Sequence, residues 1–553
     1  MTSEKLKSFQ TLFKNQKYDE LIEEIEKIVD KNSVILNIYA VSKLMRNNGL
    51  REDKLSALEN FEKAYLMDKY SLSGLDALTN FINLGIEFKI FDKIFNYYDE
   101  AIKNFDHNHK LLESIQRVYQ YQYRVSERHN ILKKLVENKS NSPRIWTSYI
   151  YTSNFLSEFD LQEEHYNDIK NFDQILKDFN LGDLQLDKNI LEKKIKIGFL
   201  SSDLEKNHSI IFFLKSLLKN FDKNKFNIIA IGNLNDEKSV NNEISSYFDQ
   251  IFSISKYNDL DAISFIRSKK IDVMIDVMGL TGDNRPTLFK NRIAPIQINW
   301  LGYCNTTGIK NMDFIFSDPN LIKKNEEKYY YEKIKHLPRI WNCHSGLPIE
   351  RKIISPPSLI EDKFTFGSFN NFNKISNLTL DCWEKILKQS ENTRLILKSS
   401  LEYFPNHIEK KFKERGISDQ ITILKKSDSF FDHLETYNRI DLALDTFPYN
   451  GVTTTFEALW KSVPVLTIKG NNFVSRCGYS ILKNLGIEYL IANNVNDYVS
   501  KAVYLSNNLD YLKNIREDLF KRMTNSSLFD DKNFAEEFQS LIIDCINEKL
   551  QSS

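Results

Sequence analysis

The chain has no net charge to spend: 75 lysines and arginines face 75 aspartates and glutamates over 553 residues. A general nucleic-acid or anionic-membrane binder needs an excess of positive charge, so that class is set aside and only a local basic cleft stays open. Cysteine is scarce. The five, Cys304, Cys343, Cys382, Cys477 and Cys545, are scattered and form no CxxC pair, which suggests neither a zinc site nor a disulfide framework. No apolar run reaches the ~18 residues of a membrane span. The opening MTSEKLKSFQTLF lacks the apolar core and cleavage site of a secretory signal. A soluble protein of a reducing cytoplasm is the expectation. With 41% apolar and 12% aromatic residues, the chain can build several cores, and its length suits three or four domains.

Glycine and proline are sparse in residues 1–155, and apolar residues recur there three and four apart, as in successive helices. A weak repeat runs through Tyr18-Asp-Glu-Leu-Ile, Leu55-Ser-Ala-Leu-Glu, Phe91-Asp-Lys-Ile-Phe and Arg128-His-Asn-Ile-Leu. Its period, near ~34 residues, is that of tetratricopeptide helix pairs. Ala57, Ala64 and Ala101 suit close helix contact, although the signature tryptophan and glycine positions are mostly absent. The reading is a short, divergent helical solenoid, with an irregular bundle as the alternative. Its surface would dock a protein acceptor or a second copy of the chain. Residues 156–190 are polar and read as a connector.

At Lys194 the pattern changes to alternating strands and helices, the mark of a parallel doubly wound sheet. Ile195-Lys-Ile-Gly-Phe-Leu is a strand closed by Ser201-Ser202-Asp203, and Asn207-His208 precedes an apolar helix from Ile210 to Leu218. Ligands of such sheets sit at the carboxyl ends of strands. His208 there is a candidate general base or hydroxyl-binding group, or else a histidine capping its helix.

The most informative stretch is Leu444 to Trp460, LDTFPYNGVTTTFEALW. Ile440 to Leu444 reads as a buried strand that Asp445 ends. Pro448 and Asn450-Gly451 break the backbone. Thr453, Thr454 and Thr455 then front a helix, where a threonine N-cap, free amide donors and the helix dipole make a phosphate site. Glu457, one turn in, is placed to accept from a ribose hydroxyl. This is a nucleotide-diphosphate cradle, or a well-capped helix without a ligand.

The stretch resembles the donor-binding segment of the O-GlcNAc transferase and SPINDLY family of protein glycosyltransferases, in a bacterial-type form. The resemblance runs from about residue 194 to 549. It takes in DVMGLTGDNR (Asp276 to Arg285), APIQINWLGYCNTTG (Ala294 to Gly308), Met312 to Asp318, Lys333 to Pro338, Phe369 to Ile375 and Val474 to Ser480. Leu280 stands where many relatives carry histidine, and Cys304 replaces the usual proline.

The resemblance implies an α/β GT-B fold, two Rossmann-like lobes (191–345 and 346–553) facing across a cleft, after the helical domain. It implies inverting, metal-independent transfer of a sugar onto protein Ser or Thr. Lys374 would take the place of a metal on the leaving diphosphate, with Asn371 beside it. His433 and Arg476 would lie near the nucleotide, Asn450 and Gly451 would shape the cradle, and Asn305, Thr306 and Thr307 would line the sugar or acceptor cleft. No cofactor beyond the donor is expected. UDP-N-acetylglucosamine is the leading donor. GDP-fucose, used by SPINDLY-type enzymes, is the alternative, because Val452 stands where animal enzymes carry histidine. Family N-glycosyltransferases acting on asparagine are a weaker match. A non-catalytic scaffold that only senses a sugar nucleotide is the reading from a different class.

Overall fold

The computed structural model describes residues 3–46, 49–156, 161–205, 208–399 and 405–552. Asn207 and residues 157–160 of the expected connector lie outside them. The chain divides into two compact units, residues 1–140 and 141–553.

The first unit is helical. Tyr18–Glu26 and Ser33–Met45, Arg51–Met67 and Leu72–Gly85, and Phe91–Ala101 and His109–Tyr121 follow one another, and Val125–Glu137 comes next. The repeated motifs starting at Tyr18 and Phe91 open helices; those at Leu55 and Arg128 begin one turn inside theirs. Ala57, Ala64 and Ala101 are buried, as a close helix contact requires. The tetratricopeptide-like reading is consistent with this order. Two asparagines and a serine cap helix starts that a hydrophobic pattern alone would not fix: Asn32 accepts from Ile35 N at 3.0 Å, Asn108 from Leu111 N at 3.1 Å and Ser71 from Gly74 N at 3.1 Å.

The second unit opens with the helices Pro143–Ser153 and Gln162–Ile169 and then holds two parallel sheets. The first contains β1 (Ile195–Leu200), β2 (Phe226–Gly232), β3 (Gln250–Ser253), β4 (Val273–Asp276), β5 (Ile296–Asn299), β6 (Phe314–Ser317) and β7 (Lys333–His336), in the order β3-β2-β1-β4-β5-β6-β7. The second contains β8 (Phe364–Ser368), β9 (Thr393–Lys398), β10 (Ile421–Leu424), β11 (Leu442–Leu444), β12 (Val465–Ile468) and β13 (Ile491–Ala492), in the order β10-β9-β8-β11-β12-β13. The central strands are buried on both faces along their whole length, so their few polar residues, Asp276, Gln297, Asn299 and Thr467, are buried as well. In each sheet the order reverses beside the first strand, between β1 and β4 and between β8 and β11. Doubly wound sheets bind ligands in the crevice at the carboxyl ends of such strands. His208 follows β1, Lys374 follows β8, and the threonine loop follows β11.

The two lobes are tied together. The last helix, Asp531–Ser552, returns to the first lobe, where Phe534, Phe538, Ile542 and Ile546 join the core built on β1, β4 and β5. Each fully buried apolar side chain of this kind contributes ~1.5–3 kcal/mol. Trp300 meets Phe538 edge-on, ring centroids 4.6 Å apart. Arg339 pairs with Asp530 and Glu537, both at 2.8 Å. Ser480 donates to Asp318 across the lobes at 2.7 Å. No helix among the described residues is long and apolar enough to cross a membrane.

Candidate active site

Asp445, at the carboxyl end of β11, organises the second-lobe wall. One carboxylate oxygen accepts from Gly451 N at 2.7 Å and Thr446 N at 2.9 Å, the other from Thr467 Oγ1 at 2.7 Å. Burial pushes its pKa up to about 6, against the pull of these donors. The bonds fold residues 446–451 back over the strand end, with Phe447–Pro448 cis. Glycine is needed at 451, because a Cβ there would stand 2.4 Å from Thr454 Oγ1 and 2.7 Å from Asn370 Oδ1. Thr454 Oγ1 in turn donates to Asn370 Oδ1 at 2.7 Å, joining the loop after β8 to the helix after β11.

That helix, Thr453–Trp460, differs from the sequence expectation at its start. The N-cap is Val452, and no side chain caps the helix; the three threonines occupy its first turn. A valine side chain accepts nothing, so the Thr453 and Thr454 amides stay open to an anion, while Thr455 N is taken by Val452 O at 3.0 Å. Lys374 lines the same cavity as Thr453 and Thr454. Its ammonium donates to Asn450 O at 2.8 Å and lies 4.3 Å from the centre of the Tyr449 ring. Burial draws its pKa below the ordinary lysine range, with Asp445 acting the other way. Among the described residues it forms no ion pair, so a half-buried cation faces an uncapped helix N-terminus.

Further along the cleft, Glu457 is buried and accepts from Tyr437 OH at 2.8 Å and His433 Nε2 at 3.1 Å. His433 Nδ1 lies 2.7 Å from the Lys398 ammonium. An ammonium only donates, so Nδ1 accepts and Nε2 carries the proton given to Glu457. The chain Lys398–His433–Glu457 therefore sets one tautomer. Lys398 also donates to Ser427 Oγ at 2.6 Å, and burial lowers its pKa to about 8.

Two adjoining cavities result. The larger, of about 830 Å³, is lined by Lys398, His433, Glu457, Phe430 and Thr453 of the second lobe and by His208, Ser209 and Phe212 of the first. The smaller, of about 260 Å³, lies between Lys374, Tyr449, Thr453 and Thr454 on one side and His208, Leu301, Gly302, Cys304 and Asn342 on the other. Asn370 and Asn371 line both. The larger is of the size that takes a drug-sized ligand. In the wall of the smaller cavity, Leu301 holds a φ of +86°, strain of the kind that persists where the surroundings impose it. Gly302 allows Val277 O to approach within 2.1 Å of where a Cβ would stand. His208 is exposed, and its Nδ1 accepts from Ile210 N at 3.4 Å, so it caps its helix while lining both cavities.

Other expected site residues are turned to structural use. Arg476 is fully buried, and its guanidinium bonds Glu326 at 2.6 and 2.7 Å and the carbonyls of Leu321 and Gly470. Asn305, Thr306 and Thr307 do not face the cleft. They are fully buried: Thr306 Oγ1 donates to Glu332 at 2.6 Å, Thr307 N to the same carboxylate at 2.7 Å, and Asn305 accepts from Gln162 Nε2 at 2.8 Å. The Asn450 amide is spent on Thr446 O and Gly478 N, so only its carbonyl reaches Lys374. Thr455 Oγ1 returns to Gly451 O at 3.0 Å. In the loop ending at Arg285, Leu280 is buried and Arg285 pairs with Asp259 at 2.7 Å. Asn370 and Lys398 were not singled out in the sequence, although each ends a buried parallel strand, the position where a polar residue of such a sheet meets ligand. Among the described residues no cluster of His, Cys, Asp and Glu is placed to hold a metal ion.

Two Rossmann-like lobes enclosing this cleft define a glycosyltransferase fold of the GT-B arrangement. The chain belongs to glycosyl transferase family 41, whose model matches residues 162–345 and 353–538. It is 30% identical over 362 residues to the tomato (Solanum lycopersicum) protein named "Probable UDP-N-acetylglucosamine--peptide N-acetylglucosaminyltransferase SPINDLY", covering 63% of this chain and 38% of that one. It is 22% identical over 466 residues to the Caenorhabditis elegans UDP-N-acetylglucosamine–peptide N-acetylglucosaminyltransferase, covering 63% and 40%. The chain thus spans about two fifths of the length of these curated relatives. Among solved structures, an O-GlcNAc transferase mutant of Thermobaculum terrenum superposes with a TM-score of 0.79 at 22% identity, over 95% of this chain and 100% of that one; at that identity the likeness speaks for the fold.

Proposed function

We propose that the chain is an inverting, metal-independent glycosyltransferase that moves N-acetylglucosamine from UDP-N-acetylglucosamine to a serine or threonine of a protein. The relatives' stated activity supports the donor and the peptide acceptor. The observation that carries the mechanism is the half-buried Lys374 ammonium, without a carboxylate partner among the described residues, sharing a cavity with the uncapped first turn of Thr453–Trp460.

In this reading the nucleoside occupies the larger cavity, with Glu457 accepting from the ribose and His433 and Lys398 beside it. The diphosphate bridges to Lys374 and the amides of Thr453 and Thr454, while Asn371 and Gly451 shape its bed. The acceptor oxygen attacks the anomeric carbon from the face opposite the diphosphate, the carbon–oxygen bond to the phosphate breaks, and the pair of electrons leaves on that phosphate. Fixed cationic and amide donors stabilise the charge as it develops, which is the part a metal would otherwise play. His208 is the protein group placed to take the acceptor proton, once its Nδ1 leaves Ile210 N. The helical repeats of residues 1–140 would present the acceptor protein.

Incubation with UDP-N-acetylglucosamine and a peptide library, read by mass spectrometry, tests this. The expected product carries one N-acetylhexosamine on Ser or Thr, with Lys374→Ala inactive. Turnover of GDP-fucose with UDP-N-acetylglucosamine inert would move the assignment to the fucosyl donor. Binding of either donor without any turnover would make the chain a sensor.

A further inference from the structure

Asn342 lies on the segment that follows β7 and lines the smaller cavity, opposite Lys374, Tyr449 and Thr453. It is 1% exposed, and neither Nδ2 nor Oδ1 has a hydrogen-bond partner among the described residues. A buried amide with both ends unpaired is costly and uncommon. Its neighbours are satisfied at the backbone: Trp341 N donates to Asp318 at 3.1 Å, Trp341 O accepts from the Trp300 indole at 2.8 Å, and Cys343 O accepts from Ser216 Oγ. The segment is therefore held in place on both sides of Asn342 while its own side chain is left with an unused donor and an unused acceptor.

We infer that Asn342 is a sugar-reading residue: its amide pairs with a vicinal diol of the donor's pyranose ring, Nδ2 donating to one hydroxyl oxygen and Oδ1 accepting from the other. This rests on the transferase reading and adds to it the part of the donor that the small cavity recognises. The fit is one of chemistry and position. A carboxamide presents a donor and an acceptor side by side, as a diol does. The cavity holding it also holds Lys374 and the first turn of the donor helix, so a diphosphate there projects its sugar toward Asn342. A site that leaves buried polar groups unpaired discriminates strongly against a ligand unable to pair them. Asn342 lines the smaller cavity and not the larger one assigned to the nucleoside, so its contribution is expected with the sugar.

The experiment compares UDP with UDP-N-acetylglucosamine by titration calorimetry on the full chain. Asn342→Leu is expected to bind UDP within about twofold of the parent but the sugar nucleotide about tenfold or more weakly, the loss of one hydrogen bond or more. The free variant's melting temperature should not fall, because two unpaired polar groups leave with the amide. Asn342→Ala, which removes donor and acceptor without adding a charge, gives the same split and carries the test should the leucine variant fail to fold. If the parent takes GDP and GDP-fucose instead, the same split is expected with that pair. Equal weakening of nucleotide and sugar nucleotide, or of neither, overturns the inference while leaving the transferase reading standing. A parent that binds no nucleotide at all overturns both.

Discussion

Arg476 and Glu326 form a two-pronged ion pair across the two lobes, at 2.6 and 2.7 Å, with the arginine fully buried. The pair holds Glu326 below the ordinary glutamate range despite its burial. Breaking a buried pair by removing one partner typically costs ~3–5 kcal/mol, because the other charge is left uncompensated. Arg476→Met should therefore lower the unfolding midpoint markedly, while the folded fraction keeps its affinity for UDP. Weakened UDP binding at unchanged stability would put Arg476 back at the donor.

Glu332 plays the same kind of part for Asn305 to Gly308. Its carboxylate is buried, raised above the usual range by desolvation, and accepts from Thr306 and Thr307. Thr306→Val leaves one buried acceptor short of a partner and should cost ~1–3 kcal/mol in denaturant unfolding, with the turnover of the remaining enzyme intact. A loss of turnover without loss of stability would return this turn to the cleft.

Glu457→Gln keeps the size of the side chain and removes its charge. The bonds from His433 and Tyr437 lose their ionic partner, and a charge-assisted bond to ribose is lost with them. A fall in UDP affinity of roughly 10–100-fold, the equivalent of ~1.5–3 kcal/mol, is expected by calorimetry. Unchanged affinity would mean that Glu457 only braces the helix.

Lys398 gives the site a pH dependence. Burial lowers its pKa from 10.5 to about 8. The unfolded chain therefore holds this proton more tightly between those values, and the group adds stability as pH rises through that window. Binding moves the opposite way. Once Lys398 is neutral it loses its positive charge and the third of its N–H donors, the other two being taken by His433 and Ser427, so UDP affinity should decline as pH passes about 8. Lys398→Met should bind more weakly with no inflection there. A parent affinity that stays flat up to about pH 9 would remove Lys398 from the site.

The strands were legible because each is a short stretch continuous in sequence, alternating with Lys196 at Ile195 to Leu200 and wholly apolar at Leu442 to Leu444. The cradle was legible for the same reason: Asp445, Gly451 and Thr453 to Glu457 lie on one short stretch, and local turn chemistry brings them together. What could not be read were the long-range partners. Arg476 looks like a helix-start cation until Glu326, far back in the chain, meets it. Thr306 and Thr307 look like cleft hydroxyls until Glu332 turns them inward. Val452 took the N-cap because the loop is set by Asp445, not by a threonine. Asn370 and Lys398 carry no signature beyond their place at the ends of buried strands, and Asn342 carries none; the fold of the two lobes brings them to the two adjoining cavities.

The central claim is that Lys374 and the first turn of Thr453–Trp460 together hold a pyrophosphate without a metal. Calorimetric titration of UDP into the full chain, in the presence of a chelator, tests it most directly. The account predicts binding by the parent and a loss of roughly 10–100-fold in Lys374→Met, the equivalent of ~1.5–3 kcal/mol for a charge-assisted bond. Binding that appears only on addition of magnesium, or that is indifferent to the loss of Lys374, would contradict it.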